Sequence, residues 1–251
     1  MSSLAKRLAL RISAGISRDR GPKIVFYHDV FKGEPVTDMG TSLDSFRQHV
    51  DFALTQGFRY VKNVPSQNGE LKVCFDDGFR GIYACADFFV ERQIAPTVFI
   101  APDLVGRTGH LTWMEIHELQ SAGFDFQSHT WSHRPLTEVA PADYDHEIGD
   151  SRKCIADELS CQVSGLCFPC GNFSRAILDA SVAAGYNELY TSVPGRIDCL
   201  QRHVASDDTA RLLPRHLVQF FTAQEFGWVL NGALRPFGGR YLKMHVQGDL
   251  R

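Results

Sequence analysis

From Lys23 onward, short apolar runs alternate with stretches whose apolar residues return every three or four positions, and no other feature narrows the possible folds as far. Runs of four or five residues rich in β-branched and aromatic side chains read as buried strands, and the 3.6-residue rhythm between them reads as helix. Strands are predicted at 24–27, 58–61, 73–75, 96–100, 124–128, 163–168 and 189–191, with a last one around Leu217 and Val218. The helices between them are marked by Phe46, Val50, Ala53 and Leu54, closed by Gly57, and then by Ile82, Ala86, Phe89 and Val90. A capping box of Thr112 and Glu115 opens the next one (Trp113, Ile116, Leu119), which Gly123 ends. A long helix runs through Pro141, Tyr144, Ile148, Ile155 and Leu159, another carries Ile177, Leu178 and Val182, and a Thr222/Glu225 box starts the last, which reaches Leu230. Strands separated by helices pair in parallel. About seven of them make a sheet that is closed or nearly closed into a (β/α) barrel.

A chain of 251 residues with 44% apolar content buries one sizeable core, and no linker, low-complexity run or repeat divides it. A single domain over 1–251 is expected, with a basic amphipathic segment at 1–22 and a Gly- and Arg-rich tail at 235–251. The formal charge of -3 leaves no electrostatic footprint for nucleic acid, so a neutral or weakly charged partner fits better. Leu4, Leu8, Ile12 and Ile16 form a stripe with Lys6, Arg7, Arg11 and Arg18 between them. Arg11 interrupts it too early for a secretory core. The stripe packs on its own domain or makes a peripheral contact with an anionic membrane face. There is no transmembrane segment, because no apolar run is long enough to span a bilayer. Seven cysteines are an odd count, and only Cys167 and Cys170 have CxxC spacing, so reduced thiols in a cytoplasmic protein are expected, with a redox pair as the alternative.

The strand at 73–75 ends in Asp76-Asp77-Gly78. An ordinary strand-to-helix turn also uses Asp and Gly. Two adjacent carboxylates repel, however, and are easiest to explain if one binds a metal and the other does chemistry beside it. After the strand at 124–128 come His129 and His133, whose i, i+4 spacing on a helical turn puts both imidazoles on one face. Together with a carboxylate from another strand they make a two-His, one-carboxylate site. Nitrogen and oxygen donors without thiolate suit a divalent metal, most readily zinc, with cobalt, nickel or manganese also accommodated. His28, Asp76, His129, the Pro169-Cys170 pair and Arg215 all fall at or beside predicted strand ends, where barrel active sites are built.

Phe75-Asp76-Asp77-Gly78, Ser128-His129-Thr130-Trp131-Ser132-His133 and Phe168-Pro169-Cys170-Gly171 occur in that order. In these motifs the chain resembles the polysaccharide deacetylases, the NodB-homology or carbohydrate esterase family 4 enzymes, over roughly positions 24–231. The resemblance implies a distorted barrel with fewer than eight repeats, and Asp77 as the carboxylate ligand beside His129 and His133. Asp76 is then free to act as general base, with Arg215 of Leu213-Pro214-Arg215 as its tether. The main-chain N–H of Cys170, where the family usually has Tyr, is the implied oxyanion donor. Cys167 stands where many relatives carry arginine. For the acid that protonates the leaving amine, Tyr27-His28-Asp29 resembles the first-strand motif of circularly permuted members, and His245 is the weaker choice. Asp29 is the candidate orienting partner for His28, although neighbours on a strand face opposite ways. Trp131, Pro169 and Gly171 are expected along the sugar cleft, and the other histidines are read as structural or solvent-facing.

The expected activity is metal-dependent removal of an N-acetyl group from an amino sugar in a glycan or lipid-linked saccharide. Another amide hydrolysis on the same fold, such as deformylation, and a glycan-binding protein with an inactive site are the alternatives. Substrate identity and oligomeric state are not written in the sequence.

Overall fold

The computed structural model describes residues 3–17, 19–204 and 210–248. Helix α1 (Ser3–Ser17) precedes β1 (Lys23–Tyr27), and a small ribbon of β2 (Asp29–Phe31) and β3 (Gly40–Ser42) leads into α2 (Leu43–Thr55). Next come β4 (Arg59–Tyr60), β5 (Glu70–Phe75), the short helices α3 (Gly81–Ala84) and α4 (Ala86–Glu91), β6 (Thr97–Ile100), α5 (Trp113–Ser121) and β7 (Asp125–Ser128). The chain continues through α6 (Ser151–Leu159), β8 (Gly165–Cys167), α7 (Arg175–Ala183), β9 (Glu188–Tyr190), β10 (Arg211–Leu213), β11 (His216–Leu217), α8 (Ala223–Leu230) and α9 (Gly238–His245).

The main sheet runs β10-β9-β8-β7-β6-β5-β1-β11 with every pair parallel, and β4 lies beside the start of β5. This is the expected α/β barrel-like sheet, and its two ends are pieces of one extended segment. Between them stand only Pro214, which has no N–H to give a ladder, and Arg215. The segment pairs with β9 up to Leu213, then with β1 from His216, where Val25 is its partner.

Strand side chains alternate between two apolar layers. Val25, Tyr27, Val73, Phe75, Val98 and Ile100 face the helices in the larger core cluster. Ile24, Phe26, Cys74, Phe99, Cys167, Tyr190 and Leu213 fill the smaller inner one, which closes the barrel beneath the strand ends.

Both predicted capping boxes are present, at Thr112/Glu115 and Thr222/Glu225. Other expectations are corrected. Leu54 and Val90 lie on exposed faces of their helices. The long helix through 141–159 is a 3₁₀ turn, a π turn over Asp145–Asp150 and then α6. The supposed tail holds the 3₁₀ turn Arg235–Phe237 and α9.

On α1, Leu10 and Ala14 are buried, whereas Leu8 and Ile12 of the predicted stripe are 57% and 54% exposed. The side chains of Leu4, Lys6 and Ile16, and Arg18 altogether, lie outside the described set. Helix α1 packs along α8, with Arg7 Nε donating to Glu225 Oε1 at 2.7 Å and Asp19 N–H donating to Asn231 O at 3.2 Å. No described helix is long and apolar enough to cross a membrane.

Candidate active site

The carboxyl ends of β1, β5, β7, β8 and β11 open into a cavity of about 480 Å³ whose lining includes His28, Asp76, Asp77, His129, His133, Cys170, Gly171, Arg215 and His245. Its floor is charged yet shielded: Asp76, Asp77, His129 and Arg215 are all buried.

Asp77 Oδ1 lies 3.3 Å from His129 Nε2 and 2.9 Å from His133 Nε2. Although both ring nitrogens approach it, this buried oxygen makes no hydrogen bond of acceptable geometry. Three lone-pair donors converging on one point, with a carboxylate oxygen left unsatisfied, fit a divalent cation. His129 Nδ1–H donates to Cys167 O at 2.7 Å, which fixes the tautomer and leaves Nε2 free to ligate. Burial alone would raise the Asp77 carboxyl, but the two imidazoles outweigh it and hold the group well below the usual carboxylate range.

The two histidines do not share a helical turn. Residues 129–133 are irregular, and positive φ at Thr130 (66°) and His133 (64°) bends the segment until the rings meet, with centroids 4.7 Å apart. Asp77 (69°) and Cys170 (58°) share this left-handed conformation, so four of the six non-glycine residues with positive φ among those described lie at the site. Backbone held in sparsely populated conformations concentrates where function requires it.

Asp76 points the other way, into a fork. Arg215 donates from Nη1 to Oδ1 at 2.6 Å and from Nη2 to Oδ2 at 2.8 Å. Burial pushes the Asp76 carboxyl up, and the guanidinium more than reverses this, so it sits below its ordinary value. The arginine is fully buried, lies 4.1 Å over the Phe26 ring and donates to Cys167 Sγ at 2.9 Å. Arg215 therefore supplies the positive charge that Cys167 does not carry. Asp76, His129 and Cys167 also lie close enough together to be considered as a ligand set, but the arginine already occupies the first and third.

His28 and His245 both line the cavity. The Gln219 side-chain oxygen accepts the His28 backbone N–H at 3.2 Å, which identifies it as the oxygen, so His28 Nδ1–H donates to the same atom at 2.6 Å. This leaves Nε2 as the free ring nitrogen. His245 Nδ1 lies 3.0 Å from Asn172 Oδ1, and burial lowers its pKa. Asp29 does not orient His28. Its carboxylate accepts from Val30 N–H at 2.9 Å and packs so closely on Gly81 that a Cβ there would fall 2.3 Å from Oδ2.

Trp131 packs on His146 in a tilted arrangement, with centroids 4.9 Å apart and planes 41° apart, and neither it nor Pro169 is among the residues lining the cavity, whereas Gly171 is. Sequence reasoning missed Gln219 and the apolar residues 217–244 of the cavity wall. His49 is structural as expected, accepting from Tyr27 OH at 2.8 Å and donating to Phe221 O at 2.7 Å, which ties this wall to α2. The seven cysteines are free, Cys167 and Cys170 included.

The family model described as polysaccharide deacetylase matches residues 64–189. The chain is 24% identical over 197 residues, 73% of its own length and 69% of the relative's, to YxkH of Bacillus subtilis (strain 168), which carries a provisional polysaccharide-deacetylase name. Among solved structures, it superposes on the deacetylase PplD of Streptococcus pyogenes in complex with acetate with a TM-score of 0.69 at 18% identity, covering 83% of this chain and 97% of that one. IcaB from Ammonifex degensii gives the same TM-score and identity, with 86% and 98% covered.

Proposed function

Since the chain belongs to the polysaccharide deacetylase family, we propose that its 251 residues act as one catalytic domain, a metal-dependent hydrolase that removes the N-acetyl group from an amino sugar. The observation that carries the metal is the unsatisfied Asp77 Oδ1 facing two imidazole nitrogens. Asp77, His129 and His133 would hold a divalent cation, zinc being the best match to the donors, and when bound it would supply polarisation of the amide carbonyl and a pKa of water lowered toward about 7.

Asp76 is the general base. Arg215 keeps it ionised and uses one lone pair on each oxygen, leaving others to take a proton from the attacking water. A C–O bond forms, the amide C–N bond breaks, and acetate and the amine depart. The N–H of Cys170, on a turn set by its positive φ, is the proposed donor to the developing oxyanion. His28, its Nδ1–H held by Gln219, is the proposed acid: as the imidazolium, protonated at Nε2 as well, it would give that proton to the leaving amine and return to the neutral Nδ1–H form. Gly171 permits the turn against Ser192.

Metal analysis with acetate-release assays tests this reading. Asp77→Asn is expected to purify without stoichiometric metal. Asp76→Asn should keep its metal and lose about 10²- to 10⁴-fold in turnover, the range of a general base. Full turnover by Asp76→Asn would overturn the base assignment, and full activity of metal-stripped protein would overturn the metal.

A further inference from the structure

The cavity described above is lopsided. Its floor holds the charged groups, while the wall that rises from it is made by Met39, Leu217, Phe220, Leu234, Tyr241 and Met244. Beyond the groups already given chemical roles and His245, the described lining contributes to hydrogen bonding chiefly the Ser192 and Tyr241 hydroxyls. A chain-free glycan presents hydroxyls on every ring, and each one brought against this wall would leave water without a replacement partner. Methionine, leucine and phenylalanine suit methylene groups instead.

The apolar character also reaches outward. Phe220 is 66% exposed, Met244 63% and Leu217 37%, so three of the nine exposed large hydrophobics among the described residues stand at this one opening. Helices α1 and α8 run side by side in the same direction, since Arg7 meets Glu225 in the first turn of α8 and Asp19 meets Asn231 at its end. The start of α1 is thereby brought to the end of α8 where Phe220 and Phe221 enter the wall. An exposed apolar patch continuous with a catalytic cavity marks a binding surface.

We propose that the substrate is an N-acetylated amino sugar carrying an aliphatic chain, a lipid-linked saccharide, with its acetamide over Asp77, His129 and His133 and its chain along Met39, Leu217, Phe220, Tyr241 and Met244. This rests on the deacetylase reading and selects among its substrates. The wall then acts on the part of the substrate that does not react, so binding energy from the chain holds the amide in place for hydrolysis.

The test compares methyl and octyl glycosides of the same N-acetylated amino sugar with the metal-loaded, full-length protein. Separately, octyl glucoside, which has no amide, is titrated below its micellar concentration by calorimetry. Complete burial of a methylene is worth about fourfold in affinity. Along a half-open wall the octyl glycoside is expected to exceed the methyl glycoside by about tenfold or more in kcat/KM. The Phe220→Ser/Met244→Ser double variant should narrow that ratio and weaken octyl glucoside binding. Equal kcat/KM for the two glycosides, a chain-free acetylated oligosaccharide outperforming the octyl glycoside, or equal octyl glucoside binding by wild type and double variant overturns the proposal. Octyl glucoside binding that depends on Phe220 and Met244, with no acetate released from either glycoside, supports the wall and overturns the deacetylase reading instead.

Discussion

The floor and the wall of the cavity are made by different parts of the chain under different rules. The floor comes from the ends of parallel strands, which present Asp76, Asp77, His129 and Arg215 from a packed sheet, so each position is fixed by the core beneath it. The wall comes from connecting segments and the C-terminal helix, which contribute Met39, Phe220, Tyr241 and Met244 with no motif and no regular spacing. Under the proposed function, chemistry would reside on the strand ends held by the packed sheet, and substrate selection on the segments that connect them.

The largest expected effect breaks the floor from below. Arg215→Met keeps an apolar side chain against Phe26 and Phe99 but leaves Asp76 buried without its cation. Removing one partner of a buried pair costs about 3–5 kcal/mol. Urea unfolding should show that loss for Arg215→Met and a smaller one for the Asp76→Asn/Arg215→Met double variant, which removes both charges. If the single variant is as stable as wild type, the pair does not hold the floor together.

The next effect sets the two histidines against each other. His28 belongs to the strand-end set and is held by Gln219, whereas His245 comes with the wall on α9. His28→Ala is expected to lower kcat by about 10²- to 10⁴-fold, as loss of a general acid does. His245→Ala should act mainly on KM. Gln219→Leu should fall between them, and nitrogen-15 shifts of His28 should then report a mixture of tautomers in place of one. Intact kcat in His28→Ala transfers the acid role to His245.

The same division explains what the sequence revealed. Asp76 and His129 were legible because the strands before them end in a switch from apolar run to polar residue, and a parallel barrel brings such ends together, whereas the roles of Asp77 and Arg215 rested on the family resemblance, no strand having been predicted before Arg215. The i, i+4 histidine spacing picked out two rings that do meet beside Asp77, but not by the helical turn it implied, since positive φ at Thr130 and His133 brings them together. Helix α9 was hidden because Gly238-Gly239-Arg240 gives a weak local propensity that only tertiary contacts override. On α1, the four-residue stripe was real in sequence, yet among the described side chains Leu10 and Ala14 are buried while Leu8 and Ile12 of the stripe are exposed. Gln219 carried no signal, because nothing local marks a glutamine that bonds to a histidine 191 residues away.

The smallest effect concerns Asp29, the neighbour of His28 that faces the opposite way. Its Oδ2 is buried without a hydrogen-bond partner, and burial raises its pKa to about 7 despite donors from Val30, Ile82 and Gly81. An acid whose folded pKa lies above its unfolded value of 3.8 binds its proton more tightly when folded. The stability it contributes is therefore full below about pH 4 and declines as pH rises through about 7. His216, held neutral by burial with a pKa of about 4, slopes the other way, losing stability as pH falls from 6.5 toward 4. The two opposing terms separate when wild type is compared with Asp29→Asn at each pH. Between pH 5 and pH 8 the wild type should lose about 2 kcal/mol relative to the variant, read from urea midpoints. Parallel stability profiles for the two proteins would mean that Asp29 is ionised in the fold, and the division between a charged strand-end floor and neutral strand residues behind it would fail at this position.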